Sequence, residues 1–262
     1  MQRTRKRFAQ HWLKSEAILD QIIAASNLCQ DDVVLEIGPG TGILTSRLLA
    51  KVSAVIAVEL DRDLCVKLSK RFNNQDNFHL LEGDILQLDY HNYPINKVVA
   101  NIPYNITGPI LAKLLGTISQ PARENYDLIV LLVQKEVADR LLAQPGTKAF
   151  GGLSVRIQYL ADCRLVCQVP AKAFYPPPKV DSAVVSISPR TFPLVADNPQ
   201  HLGTILQLGF ANRRKMLRNN LKSLVEVDQL SEILTTLQLN PQARAEELSL
   251  SNWIQLSNYL QN

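Results

Sequence analysis

Val33-Val-Leu-Glu-Ile-Gly-Pro-Gly-Thr-Gly42, running into Ile43-Leu-Thr-Ser-Arg-Leu-Leu-Ala50, decides the fold. Its first five residues are almost continuously apolar, as in a strand buried on both faces of a parallel sheet. Its last eight carry apolar residues at helical spacing. The glycines between them make a strand-to-helix turn, where a ligand can approach the backbone and meet amide N–H groups at a helix start. The spacing is G-x-G-x-G, not the G-x-G-x-x-G that holds a dinucleotide pyrophosphate.

Working outward, Ala54–Val58 reads as a second strand and ends in Glu59, 21 residues after Gly38. An acid at that strand tip can accept hydrogen bonds from both ribose hydroxyls. A third strand, Phe78–Glu82, leads into Gly83-Asp84, and the Asp84 carboxylate can receive an adenine amino group. Gly38, Gly40, Glu59 and Asp84 thus gather at the carboxyl ends of successive strands, where open α/β sheets bind ligands. Ribose and adenine contacts without a pyrophosphate loop imply an adenosine lacking phosphates, and S-adenosylmethionine fits best.

A fourth strand, Lys97–Asn101, runs into Asn101-Ile102-Pro103-Tyr104. An Asn-x-Pro strand end is also an ordinary turn. Behind a nucleotide-binding half-domain it acquires a chemical reading. The Asn101 amide oxygen and the Ile102 carbonyl can accept two hydrogen bonds from a nucleobase amine, and Tyr104 can stack on the base, worth roughly 1–3 kcal/mol. An adenine N6 lone pair is delocalised into its ring, and two acceptors pull the amine toward sp3 geometry. Positioning then does most of the work, and no side chain need ionise. Phe174, ahead of Pro176-Pro-Pro178, is a candidate second aromatic face for a flipped base, or a core phenylalanine before an extended segment. Glu36 reads equally as a structural strand-end acid or as a support for the cofactor contacts.

Strands and helices alternate to about residue 145, with Tyr126–Val133 as the fifth strand and helical patterns at Gly108–Leu115 and Lys135–Ala143. Alternation of this kind predicts an α/β, doubly wound, mostly parallel sheet. Gln144–Gly152 reads as a mobile loop and Ser154–Leu160 as a helix. Arg164–Val169 and Ala183–Ser188 read as two closing strands in a hairpin-like pair. Pro193 and Pro199 mark a linker, after which only helical patterns occur, such as Leu202, Ile205, Leu206 and later Leu230, Ile233, Leu234. The expected division is 1–190 for the sheet domain and 191–262 for a small all-helical one.

Several motifs occur together in one family's order: Leu35-Glu-Ile-Gly-Pro-Gly-Thr-Gly42, Val58-Glu-Leu-Asp61, Glu82-Gly-Asp84, Asn101-Ile-Pro-Tyr-Asn-Ile-Thr107 and Phe174-Tyr-Pro-Pro-Pro-Lys-Val-Asp181. The chain resembles the ribosomal RNA adenine N6,N6-dimethyltransferases across residues 6 to 260. Lys6-Arg-Phe-Ala-Gln-His-Trp-Leu13 resembles the family's basic opening motif, but departs from the commoner Gly-Gln-[Asn/His]-Phe-Leu wording at Ala9 and Trp12. Phe210-Ala-Asn-Arg-Arg-Lys-Met-Leu217 and Arg244–Ser249 resemble the small-subunit (16S) branch. The resemblance implies a Rossmann-like methyltransferase sheet, S-adenosylmethionine as cofactor, and His11 and Leu13 at its methionine end. From sequence alone His11 reads equally as a surface histidine. The implied product is N6,N6-dimethyladenosine at two adjacent adenosines in the 3′-terminal hairpin of 16S rRNA. The implied partner is the 30S subunit or its precursor, with a role in its biogenesis.

Charge agrees with a polyanionic partner. Residues 1–15 carry Arg3, Arg5, Lys6, Arg7 and Lys14, and the stretch from Asp197 to Glu226 carries Arg213, Arg214, Lys215, Arg218 and Lys222, with no acid between those bounds. These segments hold 10 of the 28 basic residues, leaving 18 against 24 acids elsewhere. We therefore expect Arg5, Lys6, Arg7, Arg213, Arg214, Lys215 and Arg218 to face RNA, the alternative being two solvated faces. Cys163 and Cys167 could suggest a metal pair, but no further Cys or His lies nearby, so structural thiols in a reducing compartment and no metal are expected. No apolar run approaches the ~20 residues that span a bilayer, and the charged opening is followed by no apolar stretch of the secretory kind. A cytoplasmic monomer is expected. Two other functions fit the same sheet. A nicotinamide-dependent oxidoreductase is disfavoured by the glycine spacing and by the lack of a Tyr-x-x-x-Lys pair. A noncatalytic RNA-binding assembly factor is disfavoured by the intact Glu59, Asp84, Asn101 and Tyr104.

Overall fold

A computed structural model of the chain describes residues 11–122, 126–190 and 195–261. The elements in order are β1 (Trp12–Leu13), α1 (Glu16–Ala25), β2 (Val33–Ile37), α2 (Ile43–Leu49), β3 (Ala54–Glu59), α3 (Arg62–Arg71), β4 (Phe78–Glu82), β5 (Lys97–Asn101), α4 (Thr107–Leu115), β6 (Leu128–Gln134), α5 (Lys135–Leu141), α6 (Gly152–Leu160), β7 (Ala161–Val169), β8 (Phe174–Tyr175), β9 (Ser182–Pro189), α7 (Pro199–Gly209), α8 (Leu217–Asn220), α9 (Val227–Thr236) and α10 (Leu250–Tyr259).

Seven strands form one sheet in the order β4-β3-β2-β5-β6-β9-β7. Pairings from β4 through β6 are parallel, and β9 enters antiparallel to β6. The expected closing strands are therefore neighbours at one edge, though β8 lies between them in the chain. After β2 the chain steps outward to β3 and β4, then returns to place β5 on the other side of β2. That reversal is a topological switch point, the place where such sheets open a crevice at their carboxyl edge.

The apolar composition of the central strands follows from this position. Val34, Val55, Ala57, Val99, Val130, Leu132 and Val184 pack in one core with Leu19 and Ile22 of α1, Leu44 and Leu48 of α2, and Leu68 of α3. Leu35, Ile56, Val98, Ala100, Leu131 and Val185, which alternate with them, are equally buried. A strand buried on both faces has no use for polar alternation. β4, at the edge, retains exposed positions.

A polar knot secures the opposite, amino-terminal edge. Lys97 Nζ lies 2.8 Å from Asp32 Oδ2 and donates to the Asn27 carbonyl, while Asn96 Nδ2 donates to the other Asp32 oxygen. Burial alone would raise the Asp32 carboxyl, but the Lys97 ammonium and the Cys29 and Asn96 N–H groups outweigh it and hold the group near about 2.

Contacts divide the described residues into two compact units: 11–114, 126–138 and 163–189 in one, and 115–122, 139–162, 190 and 195–261 in the other. The helical unit thus includes α6 as well as the C-terminal helices. Its core is built around the fully buried Trp253, whose ring lies 5.5 Å from that of Phe210. Pro199 is not linker but the first residue of α7, capped by Asn198 through the His201 N–H. A proline there gives up a donor that has no helical partner anyway. No helix among the described residues is long and apolar enough to cross a membrane.

Candidate functional site

The glycine turn of residues 38–42 requires its glycines. Gly40 adopts φ +60° and Gly42 φ +78°, in the left-handed region. A Cβ on Gly42 would lie 2.7 Å from the Phe72 ring, and one on Gly40 would lie 3.3 Å from the Trp12 ring. Glu59, at the end of β3, ties this turn down: Oε2 accepts from Gly40 N at 3.1 Å and Oε1 from Asp61 N at 2.9 Å. It is 7% exposed, and burial raises its carboxyl above the ordinary range against those two backbone donors.

Parallel register aligns the remaining strand ends. Ile37 pairs with Val58 and Glu59 with Glu82, so Gly38, Glu59 and Asp84 emerge on one edge. Asp84 Oδ1 accepts from the Leu86 N–H at 2.9 Å. Together these residues line a cavity of about 330 Å3 that also takes in His11, Trp12, Leu60 and Asn101 through Ile106. All the expected cofactor residues except Leu13 line it, as do Asn101, Ile102 and Tyr104. Among the wall residues that sequence reasoning did not single out are two leucines beside the carboxylates. Leu60, 53% exposed, and Leu86 flank the Glu59 and Asp84 carboxylates with apolar surface. An exposed leucine just after a strand-end acid is the signal that could have found the first of them.

Asn101 is oriented by the N-terminal arm. Its Nδ2 donates to the His11 carbonyl at 3.3 Å, which orients the amide and leaves its Oδ1 and its second N–H outside that bond. The Pro103 carbonyl is used within the turn by the Ile106 N–H. Tyr104 holds its hydroxyl 2.6 Å from Ser182 Oγ and lies stacked against His11, centroids 5.9 Å apart and planes at 23°. Burial pushes its hydroxyl pKa up, against the pull of the Ser182 bond. His11 itself donates from Nδ1 to the Pro176 carbonyl at 2.8 Å, so it is an anchored residue rather than a free surface one.

β1 and β8 explain how the arm reaches the site. They form a separate two-stranded antiparallel sheet, with Trp12 opposite Tyr175 and Leu13 opposite Phe174. Two expectations change here. Phe174 is 1% exposed, packs in the hydrophobic core and does not line the cavity, because its strand turns the ring inward beside Leu13. Leu13 is likewise a core residue, lining instead an adjoining cavity of about 40 Å3 with Glu36, Gly38 and Asn101. Glu36 accepts from Thr45 Oγ1 at 2.6 Å. Its complete burial, with added repulsion from Glu59 and against the Thr45 bond, pushes its carboxyl up to about 8. It carries a proton at neutral pH and supports the floor of the site.

Of the basic residues expected to face RNA, Arg5, Lys6 and Arg7 lie outside the described residues. Arg213, Arg214 and Lys215 are exposed in the helical unit. Asn220 Nδ2 shapes their loop by donating to the carbonyls of Gly209 and Asn212. Arg213 is partly engaged, since Nη2 donates to the carbonyls of Lys148 and Phe150. Arg218 is half-buried and donates to Ser231 Oγ. Cys163 and Cys167 sit half-buried on β7.

Cavity chemistry fits an adenosylated amino acid: a glycine turn open to close approach, two carboxylates and an amide oxygen as acceptors, and apolar walls. The comparisons point the same way. The family model for ribosomal RNA adenine dimethylase matches residues 1–262. A protein of Rippkaea orientalis named ribosomal RNA small subunit methyltransferase A is 61% identical over 269 residues, covering 100% of this chain and 99% of that one. Its namesake from Acaryochloris marina is 63% identical, covering 98% and 97%. Among solved structures, a dimethyladenosine transferase from Plasmodium falciparum superposes with a TM-score of 0.79 at 29% identity, covering 94% and 96%. The 23S rRNA methyltransferase ErmE, at 23% identity and a TM-score of 0.74, shares the fold.

Proposed function

The chain belongs to the ribosomal RNA adenine dimethylase family, and from that premise we propose that it methylates the N6 amines of two adjacent adenosines in the 3′-terminal hairpin of 16S rRNA. It does so within the 30S subunit or its precursor, with S-adenosylmethionine as donor. The observation that carries this reading is the Asn101 amide, which is oriented by a hydrogen bond from its nitrogen to the His11 carbonyl and whose oxygen is an acceptor at a cavity shared with Glu59, Asp84 and Tyr104.

Glu59 receives the ribose hydroxyls and Asp84 the adenine amine, with Leu60 and Leu86 against the purine faces. His11, Gly38, Gly40 and Asn101 surround the methionine end. Bound there, the cofactor supplies an electrophilic methyl on a sulfonium. Asn101 Oδ1 and the Ile102 carbonyl grip the two N–H bonds of the target amine, localise its lone pair and aim it at that methyl. Tyr104 supports the base plane. Positioning of this kind accounts for the rate without an ionising side chain. Once one methyl is attached, one acceptor loses its partner, so the second transfer is the slower. The sheet unit carries this chemistry, and the helical unit, with Arg213, Arg214, Lys215 and Arg218, faces the RNA, joined by Arg5, Lys6 and Arg7. The protein works as a cytoplasmic monomer.

Incubation with tritiated S-adenosylmethionine and unmodified 30S particles, followed by mapping of the label and mass spectrometry of nucleosides over time, tests the proposal. Transient N6-methyladenosine giving way to N6,N6-dimethyladenosine is expected. A plateau at the monomethyl stage with excess cofactor, or label on another base, overturns it.

A further inference from the structure

The helical unit has a cavity of its own, about 620 Å3, built by α6, α7 and the 117–119 turn. The charged residue among those that line it is Arg156, one turn into α6 and half-buried. Among the described residues Arg156 makes no hydrogen bond and no ion pair. Its Nε is buried without a partner. The two Nη groups, equally unpartnered, are not shut away in this manner and are what the side chain offers to the cavity. Arg190 and Arg218 also have an unpartnered Nε, but their Nη groups are engaged, by the Gln158 carbonyl and Asp162 and by Ser231. Burial pulls the Arg156 pKa down, and no carboxylate opposes that shift. None of the lining segments, 117–119, 152–156 and 200–210, contains an acid. A partly desolvated guanidinium without a counter-ion is costly, and such a group calls for an explanation.

The cavity continues toward the basic loop. Phe210 forms part of its wall and would lie 3.6 Å from a Cβ on Gly152, the first residue of α6. Three residues on, Arg213 Nη2 holds the carbonyls of Lys148 and Phe150, and Arg214 and Lys215 are exposed. On α7, Gln200, Gly203 and Gln207 share the face that lines the cavity. A Cβ on Gly203 would meet nothing within 4 Å, so packing does not require a glycine in mid-helix, and the backbone there is open to close approach. A planar guanidinium fork matches a phosphate, and the amide groups of the two exposed glutamines can donate to the same oxygens. We infer that this cavity binds a phosphate of the RNA backbone through Arg156, as an anchoring point beside the Arg213–Lys215 loop. A polyanion is favoured over a lone anion because the stretch between Asp197 and Glu226, which supplies both α7 and the loop, carries five basic residues and no acid. The inference rests on the chain acting on RNA.

The test is equilibrium binding of the whole protein to 30S particles across about 50–200 mM salt, for the parent, Arg156→Met and Arg156→Lys. Arg156→Met should weaken binding by about 10-fold at the low end, the scale of a lost hydrogen bond to a charged group. It should also reduce the slope of log affinity against log salt by about 0.7–0.9, the counterion release of one phosphate. Arg156→Lys keeps the charge and should keep the parent's slope. Because the arginine is unpaired and partly desolvated, Arg156→Met should melt no lower than the parent. Its affinity for S-adenosylhomocysteine, read by calorimetry, should not change, since Arg156 lies outside the unit that holds Glu59, Asp84 and Asn101. A parental salt slope in Arg156→Met overturns the assignment, whatever the melting temperature. So does a reduced slope in Arg156→Lys, which would trace the loss to the fold rather than to the charge. Inorganic pyrophosphate separates the sources of phosphate. If it raises the melting temperature of the parent but not of Arg156→Met, while both bind 30S particles alike, the cavity takes a free anion and the RNA assignment fails. If the parent itself shows no salt-dependent binding to 30S particles, the RNA reading of the chain fails, and this inference with it.

Discussion

Replacing Asn101 with alanine separates chemistry from binding. The substitution removes the Oδ1 acceptor and the Nδ2 donor together, and the proposed mechanism gives them different jobs. Nδ2 holds the His11 carbonyl at 3.3 Å, a long neutral hydrogen bond near the weak end of its class. Losing such a bond costs about 0.5–1.5 kcal/mol, so cofactor affinity should fall by about 10-fold at most. In the proposed mechanism Oδ1 is one of two acceptors for the reacting amine. Deleting one preorganised hydrogen-bonding group from a transition state costs about 2.7–4 kcal/mol, or roughly 10²–10³-fold in rate. Single-turnover transfer of a tritiated methyl group to 30S particles, at saturating cofactor, reads the second effect, and calorimetry with S-adenosylhomocysteine reads the first. Asn101→Asp retains an acceptor but turns a carboxylate toward the His11 carbonyl, and should fall between alanine and the parent. An Asn101→Ala rate within about 10-fold of the parent would refute the mechanism. So would a loss of cofactor affinity as large as the loss of rate.

Tyr104→Phe keeps the ring and breaks only the 2.6 Å bond to Ser182; its rate should stay near the parent's, whereas Tyr104→Ala should lose base affinity by roughly 1–3 kcal/mol, read from KM for 30S particles. Glu36 holds a proton up to about pH 8 in the folded state and only to its ordinary value of 4.5 when unfolded. The folded chain therefore binds the extra proton between those limits, and stability falls as pH rises through that window. Melting curves from pH 5 to 8 should show this decline flattened in Glu36→Gln; identical slopes would deny the buried, protonated state. Lys97→Met leaves Asp32 buried without its ammonium, and denaturant unfolding should show a loss of about 3–5 kcal/mol with little change in cofactor affinity of the folded protein. Reversing Arg214 and Lys215 to Glu should weaken 30S binding and flatten its salt dependence. Arg213 is left intact there because it holds the carbonyls of Lys148 and Phe150; a large drop in melting temperature would mean that the other two are structural as well.

Local pattern determined much of this protein. Continuous apolar runs ending in Gly38, Glu59, Asp84 and Asn101 located β2 to β5 and the strand ends that line the cavity, because a strand buried on both faces has few other ways to be written. Parallel pairing then left those ends nowhere to go but one edge of the sheet. Local pattern did not reach the pairing of two-residue strands more than 160 positions apart. Trp12 and Leu13 read as part of a basic arm, and only their pairing with Phe174 and Tyr175 brings the arm over the glycine turn. That contact decides which aromatic groups meet the cavity: Tyr104 and Trp12 line it, and Phe174 is turned into the core. Periodicity likewise could not tell that Arg213 has backbone carbonyls to hold, or that the Asn101 nitrogen donates to the His11 carbonyl. Composition and spacing fix which groups a segment carries, but the free face of a ring and the unspent atom of an amide depend on what the rest of the chain packs against them.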